Sequence, residues 1–153
     1  MKKQEFVEKY GEMACTAGQL YGLNPVVILA QAALESGWGM SALAVQAYNF
    51  FGITGYGVTN AYWHGGKTDL GNGGLLFSRY DTPEHGFLDF ARLITTVYPQ
   101  AAAVSFFPAA YAQEIAYSRY ISEANGDNRE AYRKAIIGIA KQLRLKEGRL
   151  IID

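Results

Sequence analysis

The chain has 153 residues, half of them hydrophobic and 18% charged, a composition that buries a core and argues against disorder. Its 14 basic and 14 acidic side chains cancel, which excludes the strongly cationic surface of a nucleic-acid or anionic-membrane binder. The single cysteine, Cys15, excludes an internal disulfide and a cysteine-built metal cluster, and no apolar run reaches the length that spans a bilayer.

By length, residues 1–153 are expected to form one domain. The two N-terminal lysines are not followed by an apolar segment, so no signal peptide is expected there. Residues 2–21 predict an amphipathic helix. Phe6, Tyr10, Met13, Ala17 and Leu20 recur at helical spacing, and Glu5, Glu8, Lys9 and Glu12 lie off that face. Cys15 falls on the apolar side, as a buried structural thiol would. Gly22 ends this helix, and Asn24 as cap with Pro25 at the first helical position begins a second. From Val26 to Leu34 that helix is apolar all round, so it is expected in the domain centre. A short helix is expected over 41–47.

From Asn49 to Tyr80 helical periodicity vanishes. Gly52, Gly55, Gly57, Gly65, Gly66, Gly71, Gly73 and Gly74 crowd the stretch, and Asn72-Gly73 is a strong hairpin-turn signal. This predicts a small glycine-rich β lobe, about residues 50–80, holding the only expected strands and walling one side of a cleft. Thr82-Pro83-Glu84 opens a third long helix to about Val97, which Pro99 stops. Pro108 opens another, with Tyr111, Ile115 and Ala116 inward. Residues 119–128 read as a polar loop ending in Asn125-Gly126-Asp127. Residues 129–143 form a last helix with Tyr132, Ile136, Ile139 and Leu143 in register. The tail from Arg144 carries no clear signal. The expected class is α+β, mostly α, with a small β-hairpin lobe.

The apolar second helix delivers one carboxylate, Glu35, just before Gly37-Trp38-Gly39. A carboxyl beside a Trp in an apolar pocket has its neutral form favoured, which suits a general acid. The bland alternative is a helix-end carboxylate reaching water, but the helix dipole disfavours a negative charge there and no cation stands nearby. Gln31, one turn earlier, can share its face. Glycosidic cleavage usually takes a second carboxylate. Most other acids read as solvated helix faces, whereas Asp69 lies three residues before Asn72-Gly73, where a hairpin either lifts it towards the cleft or leaves it in water. His64 and His85 lack metal-ligand spacing and no G-x-S-x-G elbow occurs, so no metal or cofactor is expected. Trp38, Tyr48, Trp63, Tyr117 and Tyr120 can stack on sugar rings or simply pack the core.

Gln31–Gly39, followed by Asn49-Phe50-Phe51-Gly52-Ile53, resembles glycoside hydrolase family 73, which contains bacterial N-acetylglucosaminidases and flagellar muramidase-like enzymes. Lys67–Gly73 is similar to that family's hairpin segment with its second acid. Phe77-Ser78-Arg79-Tyr80 with Phe87-Leu88-Asp89-Phe90, and Tyr120-Ile121-Ser122, resemble further family motifs. The likeness covers about residues 20–143. It implies a lysozyme-like α+β fold and cleavage of the β-1,4 bond between N-acetylglucosamine and N-acetylmuramic acid in peptidoglycan. It also implies Glu35 as general acid, Asp69 as second carboxylate and Tyr120, or Tyr117 in its place, as a substrate-positioning residue; Trp38 and Trp63 are expected to bind substrate beside them by stacking on sugar rings. The second acid is Asp where relatives often carry Glu, and 123–128 is longer than in relatives. A lytic transglycosylase and a non-catalytic glycan-binding module on the same scaffold are the alternatives. The expected partner is the peptidoglycan glycan strand, met by a monomer at the cell wall or periplasm, with no nucleic acid. Delivery would be by phage lysis, by a secretion apparatus or within a larger protein, and a secreted effector would bring a cognate immunity protein.

Overall fold

Helix α1 (Lys3–Tyr21) buries Phe6, Val7, Tyr10, Ala14 and Ala17 along one side. It ends where Gly22 turns left-handed, φ 69°, and returns its N–H to Gly18 O. The computed structural model describes residues 1–71, 73–122 and 128–153. Asn72 of the expected turn, and half of the expected polar loop, with Asn125-Gly126-Asp127, lie outside the described residues.

Helix α2 (Pro25–Ser36) starts as its sequence demands. The Asn24 side chain accepts from Val26 N at 3.0 Å and Pro25 occupies the first turn. Every residue from Pro25 to Ala33 is buried, so this helix is the core axis. Against it lie α1, α6 (Pro108–Ala116) and α7 (Arg129–Ala140), the last capped by Asn128 onto Ala131 N. Helix α3 (Ala42–Ala47) is short and is capped by Ser41. Helix α4 (Pro83–Val97), capped by Thr82, brings Phe87 and Phe90 against Phe50 and Phe51. The Phe51 and Phe90 rings stack with centroids 3.8 Å apart.

The lobe between α3 and α4 holds one hairpin, β1 (Lys67–Asp69) against β2 (Leu76–Ser78), antiparallel with Thr68 opposite Phe77. Asn49 stitches it to the helices. Its amide donates to Ile53 O and Ser78 O, and its oxygen accepts from Phe51 N and Ile53 N. Gly86 on α4 is obligatory at this seam, because a Cβ there would sit 2.3 Å from Tyr48 O.

Three expectations are corrected. Pro99 starts a short helix, α5 (Pro99–Ala103), rather than only stopping α4. The last helix stops at Ala140, and Leu143 belongs to a strand. The tail is a second hairpin, β3 (Leu143–Lys146) and β4 (Arg149–Ile152), so the glycine-rich lobe does not hold all the strands. Glu147 (φ 51°) and Gly148 (φ 76°) make its turn, and Leu150 packs on α1 where Gly11 lacks a side chain.

Candidate active site

A cleft of about 640 Å³ runs between the hairpin lobe and the helices, and Glu35 lines it. Glu35 occupies the last turn of α2 and is half-buried. Opposite it stands Gly52, whose φ of 67° favours glycine; a Cβ there would lie 3.5 Å from Glu35 Oε2. The Asn49–Ile53 turn thus brings backbone alongside the acid.

Tyrosines surround the carboxylate. Tyr120, just after α6, donates its hydroxyl to Phe51 O at 3.0 Å. Burial, then the nearby Glu35 charge, hold its pKa well above the usual phenol value. Tyr132 of α7 also lines the cleft. Its hydroxyl is buried beside Glu35, close enough to feel the carboxylate but short of hydrogen-bond geometry. Burial, then Tyr120 and Glu35, raise its pKa well above the ordinary value too. Beneath them Tyr111 donates to Gln31 Oε1 at 2.6 Å, and Gln31 is wholly buried. Burial keeps the Tyr120 and Tyr132 phenols neutral at neutral pH.

The second carboxylate lining the cleft among the described residues is Asp89, and it is already engaged. Its oxygens accept from Tyr80 Oη at 2.5 Å, Asn60 Nδ2 at 3.0 Å and Arg92 Nε at 2.8 Å. Asp89 therefore ties α4 to the loop before β1. That loop carries Trp63, which is buried, with its ring nitrogen donating to Gly66 O at 2.8 Å. Trp63 is a fixed piece of the cleft wall.

Other expected residues are not brought here. Trp38 is not among the residues that line the cleft. Gly37 turns left-handed and Trp38 follows at φ 57°, so its ring packs edge-on against Phe6 on α1 at 5.6 Å. The aromatic neighbours of Glu35 are instead Tyr120 and Tyr132. Asp69 is exposed on β1, where its carboxylate accepts from Gly71 N at 2.7 Å, and it lies outside the cleft lining. Tyr117 is exposed, donates to Glu130 and lines a separate side depression. His64 pairs with Asp81 at the surface. Among the described residues no three His, Cys, Asp or Glu side chains gather as a metal site.

Sequence reasoning missed Tyr132 and Asp89 as site residues. Tyr132 reads as one more apolar position of its helix. Asp89 carried a signal, since an acid flanked by Leu88 and Phe90 on a buried helix face needs partners.

A mostly helical domain with a hairpin lobe and one acid at the end of a buried helix is the architecture of the lysozyme-like glycoside hydrolases. The chain belongs to the glucosaminidase family, described as mannosyl-glycoprotein endo-beta-N-acetylglucosaminidase, whose model matches residues 11–145. It is 26% identical over 155 residues to the peptidoglycan hydrolase FlgJ of Pseudomonas aeruginosa, an alignment covering 91% of this chain and 36% of that protein. A putative endo-beta-N-acetylglucosaminidase of Streptococcus pneumoniae is 43% identical over 53 residues, 35% of this chain and 8% of that one. The chain thus spans about a third or less of these relatives' length. The glycoside hydrolase domain of Salmonella typhimurium FlgJ superposes with a TM-score of 0.68 at 26% identity, covering 93% of this chain and 88% of that one.

Proposed function

We propose that this chain hydrolyses the β-1,4 bond between N-acetylglucosamine and N-acetylmuramic acid in peptidoglycan, with Glu35 as general acid. The observation that carries the reading is the position of Glu35. It lies at the end of a buried helix, in a cleft where the other lining carboxylate among the described residues, Asp89, accepts three hydrogen bonds. Membership of the glucosaminidase family and the likeness to peptidoglycan hydrolases support the substrate. Glu35 donates its proton to the glycosidic oxygen as the C1–O bond breaks, and the leaving sugar departs as an alcohol. The Tyr120 and Tyr132 hydroxyls, raised in pKa by burial, stand beside Glu35 without adding charge.

Two routes then relieve the positive charge at C1. Asp69 serves as second carboxylate if the β1–β2 hairpin lowers onto the substrate. Alternatively, the substrate's own 2-acetamido oxygen attacks C1, and water later opens the ring so formed. The outward position of Asp69 favours the second. Glu35→Gln is expected to cut the clearing of a cell-wall suspension by about 10²–10⁴-fold with the fold intact; retained clearing overturns the role. Asp69→Asn discriminates the routes, with a loss of about tenfold or less for acetamido attack and a far larger one for a carboxylate base. Mass spectrometry of the fragments excludes the transglycosylase alternative if the new ends are reducing sugars rather than anhydro sugars. Cell wall that is bound but never cut would mark a binding module.

A further inference from the structure

Arg119 stands where the catalytic cleft meets a side depression of about 350 Å³; it and Tyr98 line both. Four charged side chains line the cleft among the described residues: Glu35, Asp89, Arg92 and Arg119. Asp89 and Arg92 neutralise each other at 2.8 Å. Arg119 makes no hydrogen bond or ion pair among the described residues, and its charge is felt at the Tyr98 hydroxyl.

The backbone that carries Arg119 is fixed on both sides. Arg129 donates through Nη1 to Ala116 O and Ser118 O, both at 2.7 Å. Tyr120 N donates to Ser118 Oγ, and the Tyr120 hydroxyl is anchored on Phe51 O. The guanidinium is therefore presented from a pinned segment, which lowers the ordering cost of using it. A glycan of N-acetylated amino sugars has no charge on its sugar hydroxyls or acetamido groups. Its anionic groups are carboxylates on the muramic substituent: those of the stem peptide, or the lactyl carboxylate itself where the peptide has been removed.

We infer that Arg119 is a specificity site for a substrate carboxylate, seating the muramic substituent in the side depression while Glu35 meets the glycosidic oxygen. The inference rests on the glycan reading above. Geometry suits it, since a guanidinium binds a carboxylate through two parallel hydrogen bonds.

The test is binding, so that it does not depend on cleavage. The probes are soluble peptidoglycan fragments with stem peptides, and fragments stripped of peptide by an amidase, each untreated or with carboxylates capped as methylamides. Affinities are measured with Glu35→Gln protein and with the same protein carrying Arg119→Gln or Arg119→Lys. Capping is expected to weaken binding to the Arg119 protein about three- to fivefold, the upper end for an exposed charged pair, and less at high salt. In the Arg119→Gln protein capping should change affinity by less than about twofold, with Arg119→Lys between. An effect confined to stem-bearing fragments assigns the stem carboxylate, and one seen with stripped fragments assigns the lactyl carboxylate. Equal responses to capping with and without Arg119, or no binding by either protein, overturn the inference. Failure of the hydrolase reading shows separately, as wall suspensions left uncleared by protein with Glu35 intact.

Discussion

Asp89 gives the sharpest stability prediction. It is 3% exposed and its Tyr80 partner 2%, so neither can recover a lost bond from water. Replacing Asp89 by Ala strips three donors at once: the Tyr80 hydroxyl, the Asn60 amide and Arg92 Nε. The Arg92 side chain is 32% exposed, so its share of the loss is small. The buried Tyr80 hydroxyl bears the full cost of losing a charged acceptor, and the Asn60 amide part of it. Together these put Asp89→Ala at about 3–5 kcal/mol, the range for breaking a buried charged network from one side. For a chain of this size that lowers Tm by about 10 °C or more. Asp89→Asn keeps one acceptor oxygen for Asn60 and Arg92 and offers an amide to the Tyr80 oxygen, so it should cost only about 1–2 kcal/mol. Thermal denaturation followed by circular dichroism reads both. A double-mutant cycle with Tyr80→Phe should show a coupling above about 1 kcal/mol. If Asp89→Ala melts within about 2 °C of the parent, the hydrogen bonds contribute nothing net and the account of how the lobe is tied down is wrong.

Removing the Tyr132 hydroxyl should separate stability from activity. A buried hydroxyl without a partner costs about 1–3 kcal/mol, so Tyr132→Phe should melt at or above the parent temperature while clearing cell walls more slowly; a lower Tm with full activity contradicts the geometry. Gly52→Ala forces a side chain into φ 67° at about 1 kcal/mol and sets a methyl against the Glu35 carboxylate, so activity should fall about tenfold or more with the fold retained. Parental rates in that variant would show that the close approach does not matter. Arg133, with the Tyr117 hydroxyl, holds the Glu130 carboxyl at about 2. A depressed acid contributes stability above its unfolded value, lost as pH falls towards 2, so the Tm difference between parent and Glu130→Gln should shrink between about pH 5 and pH 2. A carboxyl carbon titration by NMR that places Glu130 at its ordinary 4.5 removes this effect.

The helices were legible where chemistry is local. Asn24-Pro25 and Thr82-Pro83 open the helices expected of them, because a cap is one side chain and one turn. The second hairpin was not. Leu143-Arg144-Leu145-Lys146 and Arg149-Leu150-Ile151-Ile152 are four residues each, too short for their alternation to stand out, and they are held by distant packing, the second strand on α1 and the first on α2 and α7. Pro99 shows the limit of a breaker signal, since the residue that ends one helix can also begin the next. Tyr132 was read as core because its 3.6-residue register is that of Ile136 and Ile139. Periodicity says which face is buried, not what that face is buried against.

That limit applies most directly to Glu35. The local reading placed an acid beside the next aromatic in the sequence, Trp38. The left-handed step at Gly37 sends Trp38 to α1, and the surroundings of the acid are assembled from far along the chain. Gly52 supplies the close backbone, Tyr120 reaches in from beyond α6, and Tyr132 stands on α7. On the proposed reading this carboxylate must carry a proton in a partly water-excluded site, where a neighbouring neutral group suits it better than a cation. Neutral phenols and backbone meet that requirement; a lysine or arginine in their place would not, since it would hold the proton off the acid. The cation nearest this chemistry by its place in the cleft, Arg119, instead stands where the cleft opens into the side depression, where it can meet substrate charge. On the proposed reading the division is physical: neutral phenols stand beside the group that gives up a proton, and Arg119 stands where the substrate brings its own charge.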